Sequence, residues 1–287
     1  AEKMAMSRQR VGRLLKRAEE EGVVEIRVRG YPDSCARIED SLQEKLGIEA
    51  ARVVHSEEDP TISEAALDYI ENRIEPGCSV GVAFGRTMAQ LCKVQRKNAP
   101  GGIKVVQLLG GLNAFQNADY KPDEAANRFA EILGGIPYSL FIPALLNSVE
   151  LKRLIYAEEQ FQPMLKMIED VDVAVITAGS LRNRGDNILI RDGYLKQDEL
   201  ERLKDMGAVG DVCLHFIDID GRIVDEAFDQ RVVGITAAGL KKIPARILVS
   251  YGPHKVRPII AAARGKFMNT LITNRSTAEA ILSSGLV

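Results

Sequence analysis

The chain has 287 residues, 46% of them apolar, and a formal net charge of −2. That length suits one large α/β domain with a small appendage, and the near-neutral charge excludes a polycation that grips nucleic acid with its whole surface. No apolar run approaches the ~20 residues of a membrane span, and the four cysteines, Cys35, Cys78, Cys92 and Cys213, stand too far apart for a zinc site. With no signal peptide visible, the expectation is a cytoplasmic protein with reduced thiols, no metal and no cofactor.

The first predicted element is a helix in "MSRQRVGRLLKRAEEEG". Ser7 suits the N-cap, Val11, Leu14, Leu15 and Ala18 recur at i, i+3, i+4 and i+7, and Gly22 supplies the left-handed stop. Arg8, Gln9, Arg10, Arg13, Lys16 and Arg17 fall mostly off that apolar stripe. A solvated surface helix would fit these residues too, but the charge order points elsewhere. The bases lead and Glu19, Glu20 and Glu21 trail, against the helix dipole. Ser7, Arg8, Gln9, Arg10, Arg13 and Arg17 are therefore the candidate DNA-binding residues, with "VVEIRVRG" as a wing. "AEKMAM" is too short to be a full preceding helix, so the helix-turn-helix is expected to be partial. Residues 1–30 form this segment and residues 31–287 the second domain.

After Tyr31-Pro32 the pattern alternates. Predicted strands are "ARVVH", "SVGVAF", "IKVVQLL", "SLFI", "VDVAVITAG", "VCLHFI", "ARILVSY" and "NTLIT", with helical patterns between most of them, from "SCARIEDSLQEKL" to "STAEAILSS". Short β-branched strands alternating with helices predict a mostly parallel, Rossmann-like sheet with helices on both faces. In such sheets ligands bind outside the carboxyl ends of the strands.

Four strand-end loops carry chemistry. In "VAFGRTM" a strand ends at Phe84, Gly85 permits a tight turn, and Arg86 and Thr87 open a helix. Amides, hydroxyl and guanidinium together suit a phosphate, although a plain strand–helix turn reads the same way. Gly110 and Gly111 follow a strand and allow close backbone approach, with Asn113 as a polar contact. Asp211 stands just before a strand, where a carboxylate can accept from sugar hydroxyls. In "SYGPHKVRP" Lys255 sits early in a helix, against the dipole, which favours an anionic partner; a lysine beside a sugar carbonyl can also form a Schiff base. "TAGSLRNRGD", with Gly179, is a weaker fifth candidate. His215 lies in an apolar strand and reads as a core residue. No catalytic set can be assembled, and no G-x-G-x-x-G follows a strand, which argues against a nucleotide-dependent oxidoreductase.

These residues carry a resemblance. "MSRQRVGRLLKRAEEEGVVEI", "GVAFGRTM", "GAVGD", "DIDGR", "GITAAGLKKIPARI", "GPHKVRPIIAAARG" and "NTLITNRSTAEAIL" are similar, in order and spacing, to the SorC family of sugar-binding transcriptional regulators, also described as the sugar-binding domain of DeoR-like regulators. The likeness spans nearly the whole chain. It implies a sugar-phosphate isomerase- or deaminase-like domain used as a sensor for a phosphorylated sugar or sugar-like effector. It puts the family's phosphate loop on Gly85, Arg86, Thr87 and Met88, its effector-contacting acid on Asp211 and its lysine on Lys255. It also implies dimers or tetramers on palindromic operator DNA, repressing or activating sugar catabolic genes. Two loops depart from the family pattern: Ala-Phe precedes Gly85 where Ser-Trp is frequent, and Ser-Tyr-Gly-Pro-His-Lys replaces the commoner Ala-Gly-Gly-x-x-Lys. The alternative is an enzyme of the same fold, a sugar-phosphate isomerase or deaminase, which would have no use for the basic helix.

Overall fold

The structure is a computed structural model that describes residues 33–96, 101–111, 122–181, 189 and 195–287. The candidate DNA-binding residues Ser7, Arg8, Gln9, Arg10, Arg13 and Arg17, and the candidate effector contact Asn113, lie outside the described residues.

The strands are β1 (Ala50–Val54), β2 (Ser79–Val82), β3 (Lys104–Gln107), β4 (Ile136–Tyr138), β5 (Val173–Ile176), β6 (Ala178–Ser180), β7 (Gly210–Val212), β8 (His215–Ile217), β9 (Ala245–Val249) and β10 (Thr270–Asn274). Among the described residues the helices are α1 (Asp33–Leu46), α2 (Asp59–Glu71), α3 (Arg86–Leu91), α4 (Pro122–Leu133), α5 (Val149–Tyr156), α6 (Gln162–Glu169), α7 (Gln197–Asp205), α8 (Glu226–Asp229), α9 (Ala237–Lys242), α10 (Val256–Arg264) and α11 (Arg275–Leu282). Seven strands pair in the order β1-β10-β9-β5-β2-β3-β4, all parallel. The remaining three, β6-β7-β8, form a small antiparallel sheet.

The strands are apolar on both sides because both sides are covered. Val80, Val82, Val105, Val173, Val175, Ile247, Val249 and Ile272 join one buried cluster with Leu67, Ile70, Met88, Leu91 and Phe129 from α2, α3 and α4. Their neighbours Val106, Ala174, Ile176, Leu248 and Leu271 join the other, with Leu42 of α1 and Ile259 and Ile260 of α10. Alternate residues of one strand thus feed opposite layers, as the period of two requires. Local signals fix several helix starts. The side chains of Ser148, Asp225, Thr236 and Asn274 each accept an amide proton from the first turn that follows.

Four readings change. "VDVAVITAG" breaks at Thr177 into β5 and β6, which belong to different sheets. "SLFI" is not a strand: the strand falls just before it, at Ile136–Tyr138, in register with Lys104–Val106. The Leu140 amide instead donates to the side-chain carbonyl of Gln107 at 3.1 Å, and Phe141 is 88% exposed. "VCLHFI" is two strands rather than one, because Cys213 (φ 52°) and Leu214 (φ 62°) turn the chain between β7 and β8. A two-residue hairpin turn with both φ positive normally carries Asn or Gly, so nothing in that apolar run announces it. Asp211 accordingly lies inside β7, opposite Gly179, rather than before a strand. Among the described residues, no helix is long and apolar enough to cross a membrane.

Candidate effector cavity

The strand order reverses direction between β2 and β5. The chain runs from β2 outward to β3 and β4, and from β5 outward to β9 and β10 on the other side. A crevice opens there at the carboxyl ends of the strands, as the topology demands. It is lined by Ala83, Phe84, Gly85, Arg86, Thr87 and Gln90 after β2, Leu109 after β3, and Thr177, Ala178 and Gly179 after β5. Asp211, Cys213 and Leu214 reach it from the small sheet, Tyr251 and Lys255 from the segment after β9, Asp59 from the start of α2, and Leu189 completes it.

Six predicted residues therefore meet: Gly85, Arg86, Thr87, Gly179, Asp211 and Lys255. Gly85 has φ 141°, and a Cβ there would stand 3.1 Å from the Thr177 hydroxyl, so glycine lets the β2 and β5 loops close on each other. The helix that Arg86 opens is only six residues long. The attraction for an anion at this end thus comes mainly from the Arg86 charge and not from a long helix dipole.

Three of the predicted contacts are not among the cavity-lining residues. The Met88 side chain does not line the cavity; it is fully buried in the α2–α4 layer of the core. Gly110 and Gly111 also stay outside it. Gly110 donates to Val233 O at 3.0 Å, and a Cβ on it would stand 2.4 Å from Ile142 O. Gly111 donates to Ile142 O at 2.7 Å and accepts from the Ala144 amide at 2.8 Å. Gly110 lets main-chain segments cross at close range behind Leu109, which does reach the cavity.

The charged floor is built around Lys255. Pro253–Lys255 form a 3₁₀ turn that leads into α10. The Lys255 side chain is only 8% exposed and its Nζ donates to Ala178 O at 2.7 Å. Asp211 is equally buried, and its Oδ2 accepts from the Leu214 amide at 3.2 Å. Burial pushes the Asp211 carboxyl above the usual carboxylate range, against the pull of Lys255, the Leu214 N–H and His215. His215 is a core residue, as read. Its Nδ1 lies 2.6 Å from Asp229 Oδ1, its Nε2 3.1 Å from Ile235 O, and its ring stacks on Phe267. At the other side Tyr251 donates its phenol to Asp59 Oδ1 at 2.8 Å. Burial and the Asp59 carboxylate raise the Tyr251 pKa, so the phenol keeps its proton.

Asp59, Gln90, Leu109, Thr177, Leu189, Cys213, Leu214 and Tyr251 were not singled out as contacts from the sequence. Thr177 lies inside the predicted strand "VDVAVITAG", and it becomes a strand-end residue only because β5 stops at Ile176. Asp59 lies 192 residues from Tyr251 in the chain, and only the fold joins them. The lining thus combines two cations, two carboxyl groups and the hydroxyls of Thr87, Thr177 and Tyr251. This mixture suits a ligand that carries both an anion and hydroxyl groups. Among the described residues, no group of three or more His, Cys, Asp or Glu side chains could hold a metal ion. All four cysteines are free thiols, and burial pushes the Cys92 thiol up to about 12.

A family model described as "Putative sugar-binding domain" matches residues 32–283. The "Deoxyribonucleoside regulator" of Bacillus subtilis (strain 168) is 32% identical, over 99% of this chain and 91% of its own length. The "Transcriptional regulator LsrR" of Klebsiella pneumoniae subsp. pneumoniae is 26% identical, over 98% and 86%. The crystal structure of the full-length sorbitol operon regulator SorC from Klebsiella pneumoniae superimposes with a TM-score of 0.80 at 26% identity, covering 99% of this chain and 92% of that one. These relatives are named as regulators and not as enzymes, so the enzyme alternative gives way. Matched over its cavity-bearing domain and aligned nearly end to end with named regulators, the chain belongs to the SorC family of sugar-binding transcriptional regulators.

Proposed function

We propose that the cavity binds a phosphorylated sugar or sugar-like metabolite, and that its occupancy controls the grip of residues 1–30 on operator DNA. The chain would thereby regulate carbohydrate catabolism in the cytoplasm as a homo-oligomer, a dimer or tetramer. The observation that carries this reading is the convergence of Arg86, Asp211 and Lys255 on one crevice at the carboxyl ends of the strands. Arg86 and Thr87 would take the phosphate, with Lys255 as a further cation or a carbonyl-directed amine. Asp211 and Gly179 would face the hydroxyl-bearing part. Residues 31–287 would be the sensor and residues 1–30 the reader. The regulator names of the relatives, one for a deoxyribonucleoside and one for a sorbitol operon, agree with a carbohydrate signal. Coupling requires only that the effector prefer one quaternary arrangement over another.

The test is a thermal-shift screen of sugars, polyols and their phosphates at millimolar concentration. A ligand at ~100 times its Kd adds about 2.7 kcal/mol to stability, which is plain in Tm. One phosphorylated compound that stands out and is not consumed supports the reading. Shifts only from unphosphorylated compounds would remove the phosphate assignment.

A further inference from the structure

Two cavity residues have no role assigned so far: Asp59, and Tyr251 of the loop that carries Lys255. Asp59 opens α2 and Tyr251 follows β9, and the Tyr251 phenol donates to Asp59 Oδ1 at 2.8 Å. The Tyr251 ring is fixed from behind by the small apolar cluster of Val54, Ile62 and Ala65. The amide of the next residue, Gly252, donates to Thr277 Oγ1 at 2.7 Å. Ring, phenol and main chain are thus all held, so this is a fixed wall and not a mobile flap.

The chemistry of that wall differs from the rest of the lining. A carboxylate accepts hydrogen bonds from hydroxyls and repels a phosphate. Tyr251 occupies Oδ1 of Asp59, which leaves Oδ2 as an acceptor for a ligand. Arg86 and Asp59 line the same cavity, so an anion drawn to Arg86 shares that space with an acid. A bare anion gains little from that arrangement. A molecule that presents its anion to Arg86 and a hydroxyl to Asp59 satisfies both.

We propose that Asp59, oriented by Tyr251, is a specificity-determining residue that selects hydroxyl-bearing phosphates over simple phosphate anions. This inference rests on the phosphate reading above. Asp59 touches the ligand; Tyr251 is a positioning residue that acts through it.

The test compares the affinity of the whole chain for inorganic phosphate with that for a panel of triose to hexose phosphates, by calorimetry, in wild type, Asp59→Asn and Tyr251→Phe. Wild type should favour at least one sugar phosphate over inorganic phosphate. Asp59→Asn should weaken that compound about tenfold or more while leaving inorganic phosphate unchanged or tighter, since a hydrogen bond to a charged group is among the stronger ones. Tyr251→Phe should narrow the same ratio by a smaller factor. Equal weakening of both ligand types, or no change in the ratio, would overturn the role of Asp59 while leaving the phosphate reading intact. A wild type that binds no panel member and no phosphate would overturn both. Unchanged melting curves of the free variants establish that they fold.

Discussion

Lys255 and Ala178 are joined across 77 residues by a buried hydrogen bond, Nζ to carbonyl oxygen, at 2.7 Å. The bond ties the segment after β9 to β6 and sets the ammonium beside Asp211. Lys255 is therefore part of the scaffold as well as a candidate ligand contact. Its removal leaves the Ala178 carbonyl without this donor and Asp211 without its nearby cation. Lys255→Met should abolish the thermal shift given by the effector and lower stability by about 1–3 kcal/mol. Denaturant unfolding with and without effector separates the two effects. A full effector response in Lys255→Met would remove the lysine from the site.

The buried Asp211 carboxyl predicts a pH signature. Its pKa is raised on folding, chiefly by desolvation. Such a group favours the folded state at pH values below its unfolded pKa and loses that contribution as pH rises through its folded pKa. Asp211→Asn keeps an oxygen for the Leu214 amide and carries no charge to bury. Its Tm relative to wild type should therefore improve as pH rises from about 4 to 8. Melts at constant ionic strength would show this; a difference that is flat with pH, or that reverses, would contradict the assignment.

The fold was legible because both faces of the sheet are covered. Short runs such as "VAVI" and "RILVS" can be little other than buried parallel strands, and the strand-end rule then led to Arg86, Thr87, Gly179 and Lys255. What escaped was set by long-range closure. Asp59 gains its role only when β1 and β9 share a sheet through β10. The turn at Cys213 and Leu214 uses left-handed backbone without the residues that advertise it. At Gly110 the close approach is made by the main chain, since a Cβ there would stand 2.4 Å from Ile142 O, whereas a Cβ on Gly111 would lie 4.0 Å from the same oxygen.

Gly234 makes that close packing testable. It has φ 129°, and a Cβ on it would stand 2.2 Å from Leu108 O. Its amide donates to the Tyr156 hydroxyl at 2.9 Å. The Leu108 carbonyl cannot yield without moving Leu109, which lines the cavity. Gly234→Ala should cost about 3 kcal/mol or more. Gly207 provides the control: its φ is 89°, but nothing lies within 4 Å of a Cβ there. Gly207→Ala should cost only the backbone strain, about 1–2 kcal/mol. Equal losses in the two variants would show that backbone strain, and not the clash, governs both.

The proposed DNA-reading segment is testable apart from the cavity. Arg8 and Arg10 fall in the first turn of the predicted helix, where a recognition helix offers side chains to base edges and phosphates. Arg8→Ala/Arg10→Ala should weaken operator binding strongly and leave effector affinity unchanged. If the arginines sit on phosphates, the slope of log K against log salt should also become shallower by about one for each phosphate no longer neutralised. If they read bases, discrimination between operator and random DNA should fall instead, with the slope retained. Gel shifts and salt titrations on the two DNA types separate these outcomes. Unaltered binding to both would assign the basic cluster to a solvated surface and require another element to hold the operator.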